Sequence, residues 1–167
     1  YLDLVALGTY ADVASLDYNN RILVDSGVKR IQSNQCRVGI TALLEVAGRD
    51  SAQMKAQDLG FVIGPRINAA GRMDTMDIGI ECLLAEDMQT AYELAQQLND
   101  LNLERRHVEA EMKQEALTVM DNLKLDQEQL PSALIMFEEH WHQGVIGIVA
   151  GRLKDQFHRP SIVFAAD

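Results

Sequence analysis

At 167 residues and 47% hydrophobic, the chain is long enough to bury a core, and one or two compact units are expected. No apolar run approaches the ~20 residues that cross a bilayer, and the opening Tyr1-Leu2-Asp3-Leu4 lacks the basic start of a signal peptide. Cys36 and Cys82 lie far apart without CxxC spacing, which excludes a structural zinc framework and fits a reducing cytoplasm.

The net charge of −10 argues at first against nucleic-acid binding. The distribution of charge weakens that objection, because bases outnumber acids from Arg21 to Lys55 while acids dominate from Asp74 to Glu139. A protein can keep its basic groups along one groove while the rest of its surface stays acidic.

The run Leu2 to Ala14 is apolar with Asp3 and Asp12 embedded, and its periodicity suits either a helix or a buried strand. An unpaired carboxylate is costly in such a stretch. At Asp12 a hard divalent ion would offset that cost, and so would a capping or hydrogen-bonded role. One carboxylate is not a metal site. A short helix is expected over Ile40 to Val46. The segment Gly64-Pro65-Arg66-Ile67-Asn68-Ala69-Ala70-Gly71-Arg72 predicts a helix that breaks or restarts at its glycines and proline. Its guanidinium groups suit phosphate, or they are surface arginines at a helix junction. Asp77 is expected to cap a short helix through Leu84.

Asp87 is expected to cap the longest element, which runs to about Lys124. Leu94, Leu98, Leu101, Val108, Met112, Ala116, Val119 and Leu123 recur at three- and four-residue steps, with one position skipped at Arg105. So long a helix is expected to join two units; the alternative is two helices broken near Asn99-Asn102. After Leu130-Pro131 the pattern predicts a strand over Ala133 to Phe137, a helix over Val145 to Phe157 and a strand over Ser161 to Ala165, a βαβ unit that favours a parallel sheet. The chain begins without Met and stops at this second strand, so both ends are expected to be cuts. In the turn, His140-Trp141-His142-Gln143-Gly144 leads directly into a helix whose first amides would favour an anion. Gly144, Gly147 and Gly151 fall on or near one face and would allow close packing. They do not form GxGxxG. His140 and His142 have no cysteine partner for a metal, and Trp141 reads as a packed or interface residue. There is no GxSxG elbow, P-loop or HExxH.

Taken in order, three segments resemble the RecJ branch of the DHH phosphoesterase family: Leu4 through Val13 with Leu16-Asp17 and Asn20-Arg21, then Gly64 through Arg72, then Trp141 through Arg152. The resemblance implies an α/β protein in three parts. Residues 1–85 would be the C-terminal portion of a DHH domain, mostly helical, 86–127 a connecting helix, and 128–167 the start of a DHHA1 domain. It implies 5′-to-3′ exonuclease action on single-stranded DNA in repair and recombination, by water and two Mn²⁺ or Mg²⁺ ions. Asp12 matches a metal-ligand and catalytic position. Arg66, Asn68 and Arg72 would hold the strand from one side, and His142, Gln143, Gly144 and Arg152 from the other. Single-stranded DNA is the expected partner, with a single-strand-binding protein or a helicase as candidate protein partners, and no membrane. Two departures stand out: Tyr10 replaces a small aliphatic residue, and Ala14-Ser15 replaces Val-Pro. The Asp-His-His triplet and the other ligands of the family are absent, so the chain alone is expected to be inactive. Competing readings are a DHH-type phosphodiesterase for oligonucleotides or cyclic dinucleotides, and a non-catalytic scaffold that binds single-stranded DNA.

Overall fold

The computed structural model describes residues 1–122 and 131–166. They form two compact units, Tyr1–Asn102 and Leu103–Asp167. The protein is α/β, mostly helical with one small parallel sheet. No helix among the described residues is long and apolar enough to cross a membrane.

The first unit begins with α1 (Leu2–Ala11), so the ambiguous opening run is a helix. It is followed by α2 (Tyr18–Gln32), which the polar sequence of that stretch does not announce. Asp17 starts α2 by accepting a hydrogen bond from the Asn20 N–H at 2.8 Å. Next comes α3 (Val38–Val46), which opens two residues before the expected Ile40. Its N-terminus is served from a distance: buried Asp3 on α1 accepts a hydrogen bond from the Arg37 N–H at 2.8 Å. Burial disfavours the ionised carboxyl of Asp3. The Arg37 and Leu4 backbone N–H groups outweigh it and hold the group below its ordinary value.

Around these helices lies one core that includes Leu7, Ile31, Ile40, Leu43, Leu59, Ile63 and Leu98. Two glycines let the helices approach. A Cβ on Gly27 would strike the Leu2 carbonyl and Ala6, and one on Gly39 would strike the Cys82 carbonyl. Cys82 is fully buried between these backbones, and burial alone pushes its thiol up to about 11. The thiol is an inert packing group at neutral pH.

The expected break at Gly64-Pro65 is a restart. Short α4 (Ala56–Asp58) passes into a π-helical turn, Leu59–Ile63, and α5 (Gly64–Met73) follows with Pro65 in its first turn, where a missing N–H costs nothing. Gly71 does not interrupt α5. In α6 (Asp77–Leu84), Met76 occupies the N-cap position. Asp77 is the first helical residue rather than a side-chain cap, and its charge suits the positive helix end.

The longest helix, α7 (Met88–Asn122), runs 35 residues without a break at Asn99-Asn102. Asp87 caps it as expected, accepting from the Thr90 N–H at 2.8 Å. Leu123 and the expected end at Lys124 lie outside the described residues. The buried stripe is Ala91, Ala95, Leu98, Asn102, Met112, Ala116 and Met120; Val119 is exposed. Arg105 is therefore no skipped position but a member of the stripe, with its side chain only 14% exposed.

In the second unit, β1 (Leu134–Glu138) pairs in parallel with β2 (Ser161–Ala165), Met136 opposite Val163, and α8 (Ile146–Phe157) connects them and packs on β2. This is the βαβ unit expected from the sequence. Leu134, Met136, Val163, Val149 and Leu153 are buried, whereas Ile135, Phe137, Ile162 and Phe164 are exposed on the other face.

Because the Gly39 position has no room for a methyl group, Gly39→Ala should destabilise the chain by about 2–3 kcal/mol. Urea unfolding followed by circular dichroism measures this, and a neutral result would show that α3 and α6 can separate without loss.

Candidate nucleic-acid interface

In the first unit, Asp12 stands at the C-terminal end of α1 and is exposed. The expectation that its charge sits in apolar surroundings is corrected by this placement; Asp3 is the buried carboxylate of the run. The residue after Asp12 is strained. Val13 has φ 55°, a left-handed conformation that costs a β-branched residue roughly 1–2 kcal/mol. The end of α1 lies against the π-helical turn. A Cβ on Gly60 would come within 2.9 Å of the Tyr10 ring, and one on Gly64 within 3.2 Å of Ala11 Cβ. The small residues therefore bring the Asp12 end of α1 beside the start of the Gly64–Arg72 segment. An apolar hollow of about 300 Å³ opens there among Tyr10, Val13, Leu16 and Phe61. Tyr10, one of the two departures, is part of its wall.

Along α5 the three predicted strand-contacting residues divide between two sides. Asn68 and Arg72 are four residues apart, share a face and are exposed. Arg66 is half-buried and serves the unit's own packing: its Nε donates to Asn99 Oδ1 at 3.1 Å and its Nη1 to the Val62 carbonyl at 2.8 Å.

In the second unit, the segment from His140 to Arg152 is tied to α7 at two carboxylates. Glu115 Oε2 accepts from Trp141 Nε1 at 2.7 Å and pairs with His140 Nε2 at 2.8 Å. Trp141 is buried, as its packed reading predicts. The Trp141 N–H and then His140 hold the Glu115 carboxyl below its ordinary value. Glu109 uses both oxygens, Oε2 accepting from Arg105 Nη1 at 2.8 Å and Oε1 from Arg152 Nε at 3.0 Å. His142 Nδ1 accepts the Gly144 N–H at 3.1 Å, which shapes the entry to α8, while Gln143 is exposed. Gly147 and Gly151 do not serve close packing: a Cβ at either would meet nothing within 4 Å. Glu109 and Glu115 were not singled out in the sequence. The i, i+4 spacing of Arg105 and Glu109 was the available signal.

Among the described residues no three His, Cys, Asp or Glu side chains converge as a metal site. Asp12 offers one oxygen-bearing group, and the residues present do not by themselves fit a two-ion centre.

No family model matches the chain. It is 55% identical over 164 residues to the single-stranded-DNA-specific exonuclease RecJ of Dickeya dadantii, covering 98% of this chain and 28% of that protein. It is also 55% identical over 166 residues to the RecJ of Haemophilus influenzae, covering 99% and 29%. The crystal structure of RecJ from Thermus thermophilus in complex with Mg²⁺ matches with a TM-score of 0.83 at 35% identity, over 99% of this chain and 25% of that one. A structure of exonuclease RecJ bound to manganese matches with a TM-score of 0.85 at 36% identity, over 99% and 40%. The chain is thus RecJ-like along nearly its whole length in both sequence and fold, and it spans under a third of the length of the curated relatives it matches.

Two outcomes follow from this geometry. Val13→Gly, which relieves the left-handed strain, should stabilise the chain by roughly 0.5–1 kcal/mol in urea unfolding; destabilisation would mean that the valine side chain contributes more than its backbone costs. The depressed Glu115 carboxyl contributes stability that is present above its ordinary value of 4.5 and lost as pH falls through its lower folded value. The single tryptophan reports this unit directly. Its emission should show an acid-induced loss of stability below pH 4.5 that is smaller in Glu115→Gln.

Proposed function

We propose that this chain is the strand-holding part of a metal-dependent, single-stranded-DNA-specific exonuclease of the RecJ kind. The observation that carries the reading is the match along 98% of the chain to a protein of that name. The division that fits the family is residues 1–85 as the rear of a DHH domain, 86–127 as the connecting helix and 128–167 as the start of DHHA1. The edge at 127 and 128 lies outside the described residues.

In this reading Asp12 supplies one ligand to Mn²⁺ or Mg²⁺, which its exposure leaves accessible. Exposed Asn68 and Arg72 contact the strand, with Arg72 on phosphate. Arg66, tethered to Asn99 and Val62, holds α5 in place as much as it meets DNA. His142, Gln143, Gly144 and Arg152 contact the strand from the second unit. The hydrolysis itself needs further ion ligands. Cleavage from 5′ to 3′, a place in repair and recombination, a cytoplasmic setting, and contact with a single-strand-binding protein or a helicase all come with the same reading.

The test is a chimera in which this chain replaces the matching segment of the Escherichia coli RecJ, to which it is 52% identical. The chimera should degrade single-stranded DNA with added Mn²⁺, and Asp12→Ala within it should cut the rate by about a hundredfold or more while strand binding persists. A folded chimera without nuclease activity would overturn the reading, as would one indifferent to Asp12→Ala. The chain alone should release no nucleotides.

A further inference from the structure

The second unit carries a charged cleft that reaches from the third sequence segment onto residues of α7 outside all three. It opens between α7 and α8, about 390 Å³ in volume, and is lined by Arg105, Arg106, Glu109, Lys113, Ile148 and Arg152. Four cations there face a single carboxylate, in a chain whose net charge is −10. Against so acidic a background, a local excess of positive charge concentrates anions where it lies.

The one carboxylate is fully engaged. Glu109 is 15% exposed and holds Arg105 through one oxygen and Arg152 through the other. Arg152 uses its Nε for that bond, is 58% exposed, and among the described residues has no protein partner for its terminal nitrogens. Arg106 and Lys113 have no ion-pair partner among the described residues. Arg105, Glu109 and Lys113 succeed one another at four-residue steps, so the charges run along two turns of one α7 face. A linear set of cations beside a guanidinium fork suits an extended polyanion better than a compact one.

We propose that this cleft binds the phosphodiester backbone of a DNA single strand, with Arg106, Lys113 and Arg152 as phosphate contacts and Glu109 as the positioning residue that fixes the arginines. The proposal rests on the functional reading above and adds α7 to the strand's path. It makes an unusual prediction about sign. If the cleft attracted DNA by bulk charge alone, removing the negative Glu109 would tighten binding. If Glu109 aims the guanidinium groups, its removal weakens binding although the cleft becomes more positive.

Anisotropy of a labelled thymidine oligonucleotide, titrated with the full chain over a salt series, separates these cases. Arg106→Ala and Lys113→Ala should each weaken binding and reduce the slope of log K against log salt by about 0.7. Glu109→Ala should weaken it about fivefold or more, and Glu109→Gln, which keeps one acceptor oxygen and so one of the two guanidinium bonds, should restore only part of the loss. Trp141 emission verifies that each variant is folded. Unchanged affinity and slope in the Arg106 and Lys113 variants, or tighter binding by Glu109→Ala, would overturn the proposal. If those variants bind normally while Arg72→Ala weakens binding, the cleft is excluded and the wider reading stands. Inorganic phosphate that displaces the oligonucleotide at an equal concentration of phosphate groups would overturn the strand as its ligand. A chain that binds no strand at any salt also defeats the proposal, and the chimera then decides the nuclease reading by itself.

Discussion

Two carboxylates on α7, Glu109 and Glu115, hold the segment from which the second unit would meet a ligand. Their partners are unequal. His140 and Glu115 are 64% and 47% exposed, and ion pairs so open to water contribute at most about 1 kcal/mol. Trp141 is buried, so its indole N–H needs an acceptor, and losing Glu115 would leave that donor unsatisfied at a cost of about 1–3 kcal/mol. The tryptophan bond therefore sets the start of the segment, and His140 adds little. At the other end Glu109 is mostly enclosed and takes two guanidinium donors, so Arg152 leaves α8 in a direction decided by α7. Between these anchors the Gly144 N–H donates to His142 Nδ1 and the Val145 N–H to the His142 carbonyl, which turns the loop into α8.

The same helix shows why its polar residues stand where they do. Its stripe is apolar at Ala91, Ala95 and Leu98 and again at Met112, Ala116 and Met120, with Asn102 and Arg105 between. The division between the two units falls between Asn102 and Leu103. Each unit thus has an apolar length of α7 to pack on, and the polar members of the stripe mark where one core ends and the other begins. Arg105 and Glu109 are both largely enclosed, 14% and 15% exposed, so their pairing weighs more than that of an ion pair open to water.

Much of this was legible in the sequence. Elements with strong periodicity or clear punctuation were read at nearly their true limits: the capped start of the long helix, the short helix ending at Leu84 and the βαβ unit. The opening run was indeterminate because a stretch that is apolar at most positions suits either period. Helix α2 was missed because most of its residues are polar and its buried stripe is short, Val24, Gly27 and Ile31, with a glycine at its centre. The Arg105 gap was misread because an apolar template cannot score an arginine whose partner lies one turn further on. Gly147 and Gly151 misled in the opposite direction, since spacing suggested packing and the structure puts open space at both. Arg66 and Arg72 look equivalent in the motif, yet six residues place them on different sides of α5, one half-buried and one exposed.

The carboxylates of α1 divide two kinds of reasoning that had been joined. Burial cost would single out the acid in the driest setting, and that acid is Asp3, which commits its charge to the α3 terminus. Motif position singles out Asp12, which is exposed and carries no such cost. Asp12 therefore needs no ion to stabilise it here, and a role in ion binding has to come from what can be placed around it. Its backbone setting is constrained: a strained Val13 follows it, and Gly60 and Gly64 keep its helix end close to α5. Strain of that kind persists only where surrounding structure enforces it. The surrounding structure thus fixes the backbone after Asp12, while the carboxylate itself lies exposed.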